Sequence, residues 1–233
     1  MAIPTIGGFT STTISGNAST FDVRPDYHVV SGAAYPGDWI VAIFSSATNV
    51  GGTNIPTPPG GWTTIVSFTT VGSGTMCFGV YAHRREVGET AYTWSQTTGL
   101  GQTNCRMIFV HGAADIGSWV LGAFDYRQNT GTTTTNVAAS ITTTATDSLA
   151  LILGGERTLA SETDAQVTFT NSTKFYYDDG SDHILVAATK DMPTPGATGS
   201  VTITFPNTHS FNGIAGILGI PPVSTMEPIS WMV

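Results

Sequence analysis

No stretch of a dozen residues in this chain keeps an apolar period of 3.6 without a Gly, a Pro or a Thr cluster cutting it. That interruption removes the α-helix as a building unit and leaves extended strands joined by turns. The block from Tyr35 to Ser67 carries the pattern most clearly. Tyr35-Pro-Gly-Asp supplies a turn, Trp39-Ile-Val-Ala-Ile-Phe an apolar strand, and Pro58-Pro-Gly-Gly a second turn that opens the alternating run Trp62-Thr-Thr-Ile-Val-Ser.

The same reading places strands at Asp38 to Ser45, Trp62 to Phe68, Thr75 to Arg85, Glu89 to Ser95, Asn104 to His111 and Ser118 to Arg127. In the third of these, alternation sets Met76, Phe78, Val80 and Ala82 on one face and Cys77, Tyr81 and His83 on the other. Beyond a Thr-rich bridge the order of events repeats. Ser148-Leu-Ala-Leu-Ile-Leu parallels Asp38-Trp-Ile-Val-Ala-Ile, Val167 to Tyr177 takes the place of the Trp62 strand, His183 to Lys190 that of the Tyr81 strand, and Phe211 to Leu218 that of the run at Met107. A degenerate duplication is expected, spanning 35–127 and 147–220 of a β-sandwich domain at 21–220. About a dozen short strands make an all-β, antiparallel two-sheet sandwich of jelly-roll type, or two smaller sandwiches sharing an interface.

Both ends read differently. Residues 1–20 are Thr/Ser/Gly-rich and are expected to form an N-terminal arm. Residues 221–233 hold three prolines, which prevent helix and ordinary sheet, together with Ile229, Trp231, Met232 and Val233, which favour burial. Pro221, Pro222, Ile229, Trp231 and Met232 therefore form a candidate partner-docking tail, packed on its own domain or on a neighbouring subunit.

Only 10% of the 233 residues are charged, and the formal net charge is −8. Thr, Ser, Asn and Gly must supply the exterior, a neutral polar surface that is cheaper to desolvate against another subunit than a charged one. Nucleic-acid binding is not expected, because eight basic residues against sixteen acidic ones offer no phosphate-tracking stripe beyond Arg84-Arg85. No apolar run reaches bilayer length and nothing at Met1 to Ile6 reads as a secretory leader, so synthesis in a cytoplasm without membrane insertion is expected. Cys77 and Cys105 lie in apolar alternating runs and read as buried thiols, with a disulfide as the other reading.

Tests for chemistry return little. Ser73 lies between Gly72 and Gly74, but Val71 stands where a nucleophile elbow needs glycine, and the segment reads as a hairpin turn. The five histidines never fall at metal-ligand spacing, and Asp178-Asp-Gly-Ser-Asp-His lacks the closing Glu of a calcium loop. Glu89, Asp125, Glu156 and Glu162 could be paired as glycosidase carboxylates, with no spacing favouring any pair. No catalytic, metal or cofactor-binding residue is nominated. Tyr92 and Trp94 share a face, so both are inside or both are displayed; displayed, they form a candidate glycan-stacking pair.

In the arrangement Gly37-Asp-Trp-Ile-Val-Ala, Pro58-Pro-Gly-Gly-Trp-Thr-Thr-Ile, Val80-Tyr-Ala-His-Arg-Arg-Glu-Val-Gly-Glu-Thr-Ala-Tyr-Thr-Trp-Ser and Ala123-Phe-Asp-Tyr-Arg, the chain resembles a family of tailed-bacteriophage virion proteins commonly labelled minor tail proteins. The resemblance covers about 35–127 and, more faintly, the chain to about 220. It departs at Gln128, where family members often carry Gly. It implies a virion location, self-association or docking on other virion proteins, host-surface glycan as a further contact, and no catalytic residues. Three functions are thereby set against one another: a minor tail or tail-tip protein first, a capsid decoration or cement protein second, and a carbohydrate-binding module or glycan hydrolase third.

Overall fold

The computed structural model describes residues 2–14, 20–25, 29–31, 34–47, 56–69, 76–96, 103–128, 135–157, 167–180, 183–205 and 212–224. In the first half the strands are β1 (Thr5–Ile14), β2 (Thr20–Val23), β3 (Val29–Ser31), β4 (Trp39–Ala47), β5 (Thr63–Thr69), β6 (Met76–Arg84), β7 (Tyr92–Ser95) and β8 (Thr103–His111). A 3-10 turn, Ile116–Ser118, leads into the second half: β9 (Val120–Leu121), β10 (Asp125–Gln128), β11 (Thr135–Ala138), β12 (Thr142–Thr143), β13 (Ser148–Arg157), β14 (Thr168–Phe169), β15 (Thr173–Gly180), β16 (His183–Met192), β17 (Gly196–Ala197), β18 (Val201–Thr204) and β19 (Asn212–Ile220). The chain is all-β and antiparallel throughout its paired strands.

Two large sheets dominate. One runs β3-β1-β8-β4-β6-β5, the other β10-β19-β13-β16-β15. Apolar residues fall on both faces of their central strands, so each large sheet is buried on two sides rather than one. Trp39, Val41, Ile43, Phe78, Val80, Ile108 and Val110 of the first sheet meet Leu149, Leu151, Leu153, Leu185, Ile214, Leu218 and Ile220 of the second in one central core. Phe9 against Phe175, centroids 6.2 Å apart, and Phe78 against Phe124 at 6.1 Å bridge the two layers.

The outer faces are covered separately. Ile40, Ala42, Phe44, Tyr81, Met107 and Phe109 point away from the centre, onto Phe21, Val23, Tyr92 and Trp94 of the two-stranded β2-β7 sheet. Ala150, Ile152, Ile184, Val186, Ala215 and Ile217 do the same in the second half, onto Ala138, Val201, Ile203 and Phe205 around the β11-β18-β14 sheet. The result is two sandwiches sharing a central interface, the second of the two arrangements that the strand pattern permits.

The halves follow one plan. β10, β19, β13, β16 and β15 lie side by side in the order of β1, β8, β4, β6 and β5, and β11 pairs β18 as β2 pairs β7. Registers agree in detail: Trp39 faces Val110 on one side and Arg84 on the other, as Leu149 faces Ile220 and Asp191. Both edge strands carry a bulge at the same place, between Thr64 and Val66 in β5 and between Lys174 and Tyr176 in β15. Such bulges twist an exposed edge and discourage further strand pairing.

Left-handed turn positions match as well. Among the described residues, two non-glycines have positive φ: Asp147 (57°) and Asn171 (52°) stand in the second half where Gly37 (95°) and Gly61 (85°) stand in the first, at the same spacing along the chain. Asp and Asn are the side chains that best tolerate this region, so the turn survives loss of glycine.

The N-terminal segment corrects an expectation. Residues 5–14 are no arm but β1, paired along its length with β8 and forming part of a large sheet. A register shift between Ile6 and Gly8 breaks the alternation that would otherwise have marked a strand. At the other end, Pro221 and Pro222 are buried. Ala113 forms a bridge with Pro222, and the Ala114 N–H donates to the Pro221 carbonyl at 2.9 Å. Ile229, Trp231 and Met232 lie outside the described residues.

Candidate functional site

Antiparallel order brings the starts of β1, β4 and β5 and the ends of β6 and β8 to one end of the first sheet. That end brings together Asp38, His83, Arg84, Arg85, Glu89, His111 and Asp115. His83 closes β6, and after Arg84 the chain turns through Gly88, at φ 90°, before β7. The turn returns Glu89 to His83: Nε2 lies 2.9 Å from both carboxylate oxygens, while Nδ1 lies 3.0 Å from the Gly61 carbonyl. Each ring nitrogen thus faces an oxygen of a neighbouring turn. Trp62 stacks on the imidazole at 5.1 Å and Tyr92 meets it edge-on at 5.3 Å.

Glu89 is correspondingly saturated. It accepts from the Glu86 N–H at 2.7 Å and the Tyr92 hydroxyl at 3.0 Å as well as from His83. Burial opposes its ionisation, but the Glu86 N–H, His83 and Tyr92 together outweigh that and hold the carboxyl below its usual range. Burial and the adjacent Glu89 push the Tyr92 phenol up. Arg85 completes the clamp, donating to the carbonyls of Ala34 and Glu89.

A second polar group lies beside it. Asp38 Oδ2 receives the Tyr35 N–H at 2.6 Å and His111 Nδ1 at 2.7 Å, and the Tyr35 ring leans on His111 at 5.7 Å. Arg84 donates to the Gly37 carbonyl at 3.2 Å and to Asp115 at 3.1 Å across an exposed pair. An Asp–His pair is two-thirds of a hydrolytic triad, but this aspartate is occupied in closing the 35–38 turn. Among the described residues no group of three His, Cys, Asp or Glu could hold a metal ion.

Tyr92 and Trp94 are inside, at 4% and 0% exposure. Phe44, Tyr81 and Trp62 surround Trp94 at ring distances of 4.3, 5.0 and 5.0 Å. Rings without an open face cannot stack on a sugar, so this pair is core and not a glycan platform. Tyr81 belongs to the same cluster; its hydroxyl donates to the Pro56 carbonyl at 2.9 Å and burial pushes its pKa up to about 12.

The remaining sequence candidates disperse. Cys77 and Cys105 are buried and form no disulfide, and burial pushes the Cys105 thiol up. Of the four carboxylates, Glu89 belongs to the clamp, Glu156 is buried in β13, Asp125 is in β10, and Glu162 lies outside the described residues. Ser73, His28 and His209 also lie outside them, while Gly180 and His183 pair directly across the acidic turn.

Two features escaped sequence reasoning. The His83–Glu89 clamp has six-residue spacing, which matches no ligand motif; its signal was a strand-ending His followed by a Gly-containing turn and a Glu. The other is a half-open groove of about 220 Å³ at this same end, between Ile3 to Ile6 of the first sheet and Leu149, Phe175, Thr189 and Asp191 of the second. It arises from sheet stacking and has no local signature. Searches against protein-family models, curated proteins and solved structures return no match to this chain.

Proposed function

We propose that this chain is a non-catalytic structural subunit of a tailed-bacteriophage particle, a minor tail or tail-tip protein that works by adhering to itself and to other virion proteins. One observation carries the reading. At the turn-rich end, the Asp38, His83 and Glu89 side chains are engaged in closing turns of their own chain, while Tyr35 (63% exposed), Val87 (86%) and Val223 (50%) are displayed to the outside. Satisfied polar groups beside displayed apolar ones make a surface suited to docking and poor in reactivity.

The turn and strand signatures of 35–127 and the low-charge exterior support the same reading. A purified particle provides the test. Immunogold labelling at the tail supports it, whereas labelling on the capsid would favour the decoration role instead. Absence from the particle, or turnover of a polysaccharide by the purified chain, would overturn it.

A further inference from the structure

The two halves differ where the central core meets the surface. On one side Trp39 and Trp119 close the gap between the large sheets, edge to face with centroids 5.4 Å apart. On the other, Leu149 holds the register position of Trp39, pairing with Ile220 and Asp191 as Trp39 pairs with Val110 and Arg84. Ile6 stands likewise for Trp119: Ile6 pairs with Val110, and Trp119 directly precedes Val120, the partner of Gly219 beside Ile220. Two indoles on one side are thus matched by two aliphatic side chains on the other, and both of these line the half-open groove of about 220 Å³.

The lining combines an apolar seat with one charge. Ile3, Ile6, Leu149 and Phe175 supply the apolar walls, and Phe175 is backed by Phe9 at 6.2 Å. Asp191 is exposed, no described residue bonds to its carboxylate, and no other ionisable side chain lines the groove. The lysines next to Phe175 and Asp191 in sequence are directed to backbone oxygens: Lys174 donates to the Val167 carbonyl at 2.8 Å and Lys190 to the Thr198 carbonyl at 2.6 Å. Arg84, at the register position of Asp191 in the first half, is by contrast paired with Asp115 at 3.1 Å.

Size and shape select the kind of occupant. Pockets for free small molecules commonly span about 300–1,000 Å³; this groove is smaller and open on one side, which suits a single side chain delivered by another chain. We propose that it seats an aromatic side chain of a partner protein, with a Lys or Arg beside that residue in the partner's sequence reaching Asp191. Indole is the best filler, because indoles close the equivalent gap on the other side, and an aromatic anchor in a pocket is a common centre of binding energy at protein interfaces. A second copy of this chain fits less well, since it would bring its own formal charge of −8 toward an exposed carboxylate. The inference goes beyond the virion reading and does not depend on it, because a partner in any assembly could use this seat.

The test uses the full chain and three probes, N-acetyl-Trp-Lys-amide, N-acetyl-Trp-Glu-amide and N-acetyl-Ala-Lys-amide, titrated by saturation-transfer NMR at low ionic strength. The Trp-Lys probe is expected to bind several-fold more tightly than either of the others. Asp191→Lys, at an exposed side chain, should reverse the order of the two Trp probes. Leu149→Trp, which gives this side the residue of the other, should abolish binding of both; the Asp191→Lys reversal stands as the test should that variant fail to fold. No binding of any probe, equal binding of all three, or an order left unchanged by Asp191→Lys would overturn the proposal. Sedimentation of the parent supplies the remaining check: a dimer that Asp191→Lys dissociates would give the groove to a second copy and overturn it as well.

Discussion

Replacing Trp94 by Ala tests whether the aromatic cluster between β7 and the first large sheet is core. Trp94 is 0% exposed and its indole N–H has no bonding partner, so the substitution removes packing without breaking a hydrogen bond. Three rings lie within 5.0 Å of it by centroid, on three different segments of chain, and they cannot all collapse into the vacated volume. Truncation of a buried Trp to Ala costs about 3–5 kcal/mol. For a chain of this size that corresponds to a fall in Tm of roughly 6–20 °C. Urea titration followed by far-UV circular dichroism reads the free energy, and a thermal scan reads Tm. Val87→Ala, at a side chain 86% exposed, serves as the control and should leave both unchanged. A Trp94→Ala protein within about 0.5 kcal/mol of the parent, the range of ordinary surface substitutions, would refute the reasoning and return Trp94 to the surface.

Two further predictions concern the turn-rich end. Glu89 has a depressed carboxyl, so its contribution is present above the ordinary carboxylate range and is lost as pH falls through its lower folded value. Glu89→Gln should therefore lower stability by about 1–3 kcal/mol at neutral pH, with the difference from the parent closing in acid; Tm measured against pH checks this, and a gap that is constant across the range would contradict it. At Gly61, with φ 85°, Ala should cost about 1–2 kcal/mol, and Asn distinctly less, because Asn171 already holds the matching turn of the second half. Equal losses for the two variants, read by urea titration, would argue against equivalence of the turns.

Much of the fold was legible because strand alternation is a local property. The faces assigned to Phe78, Val80, Ala82 and Tyr81 are those observed, and Ser148 to Leu153 fall in register against their neighbours as Asp38 to Ile43 do. What alternation cannot give is which face is covered. Tyr92 and Trp94 were placed together correctly, but only the β2-β7 layer lying on β4, β6 and β8 decides that together means inside. β1 was missed for a different reason: the bulge at Gly7 shifts the pattern by one residue, so Ile6 and Phe9 do not alternate. The clamp and the groove depend on turns and layers meeting in space. His83 needs Gly61 from one turn and Glu89 from another, and the groove needs Leu149 opposite Ile6, a juxtaposition that no window along the chain contains.

Two like halves are locked face to face through one central core. Native-state hydrogen exchange, resolved by peptide, tests this most directly. The amides of β4 and β8 in the first half and of β13 and β19 in the second should exchange together as one slowest class, since Val41, Ile108, Leu151 and Leu218 belong to the same buried cluster. If one half opened at a lower free energy while the other stayed protected, the sheets would be separate units and the shared core would be contradicted.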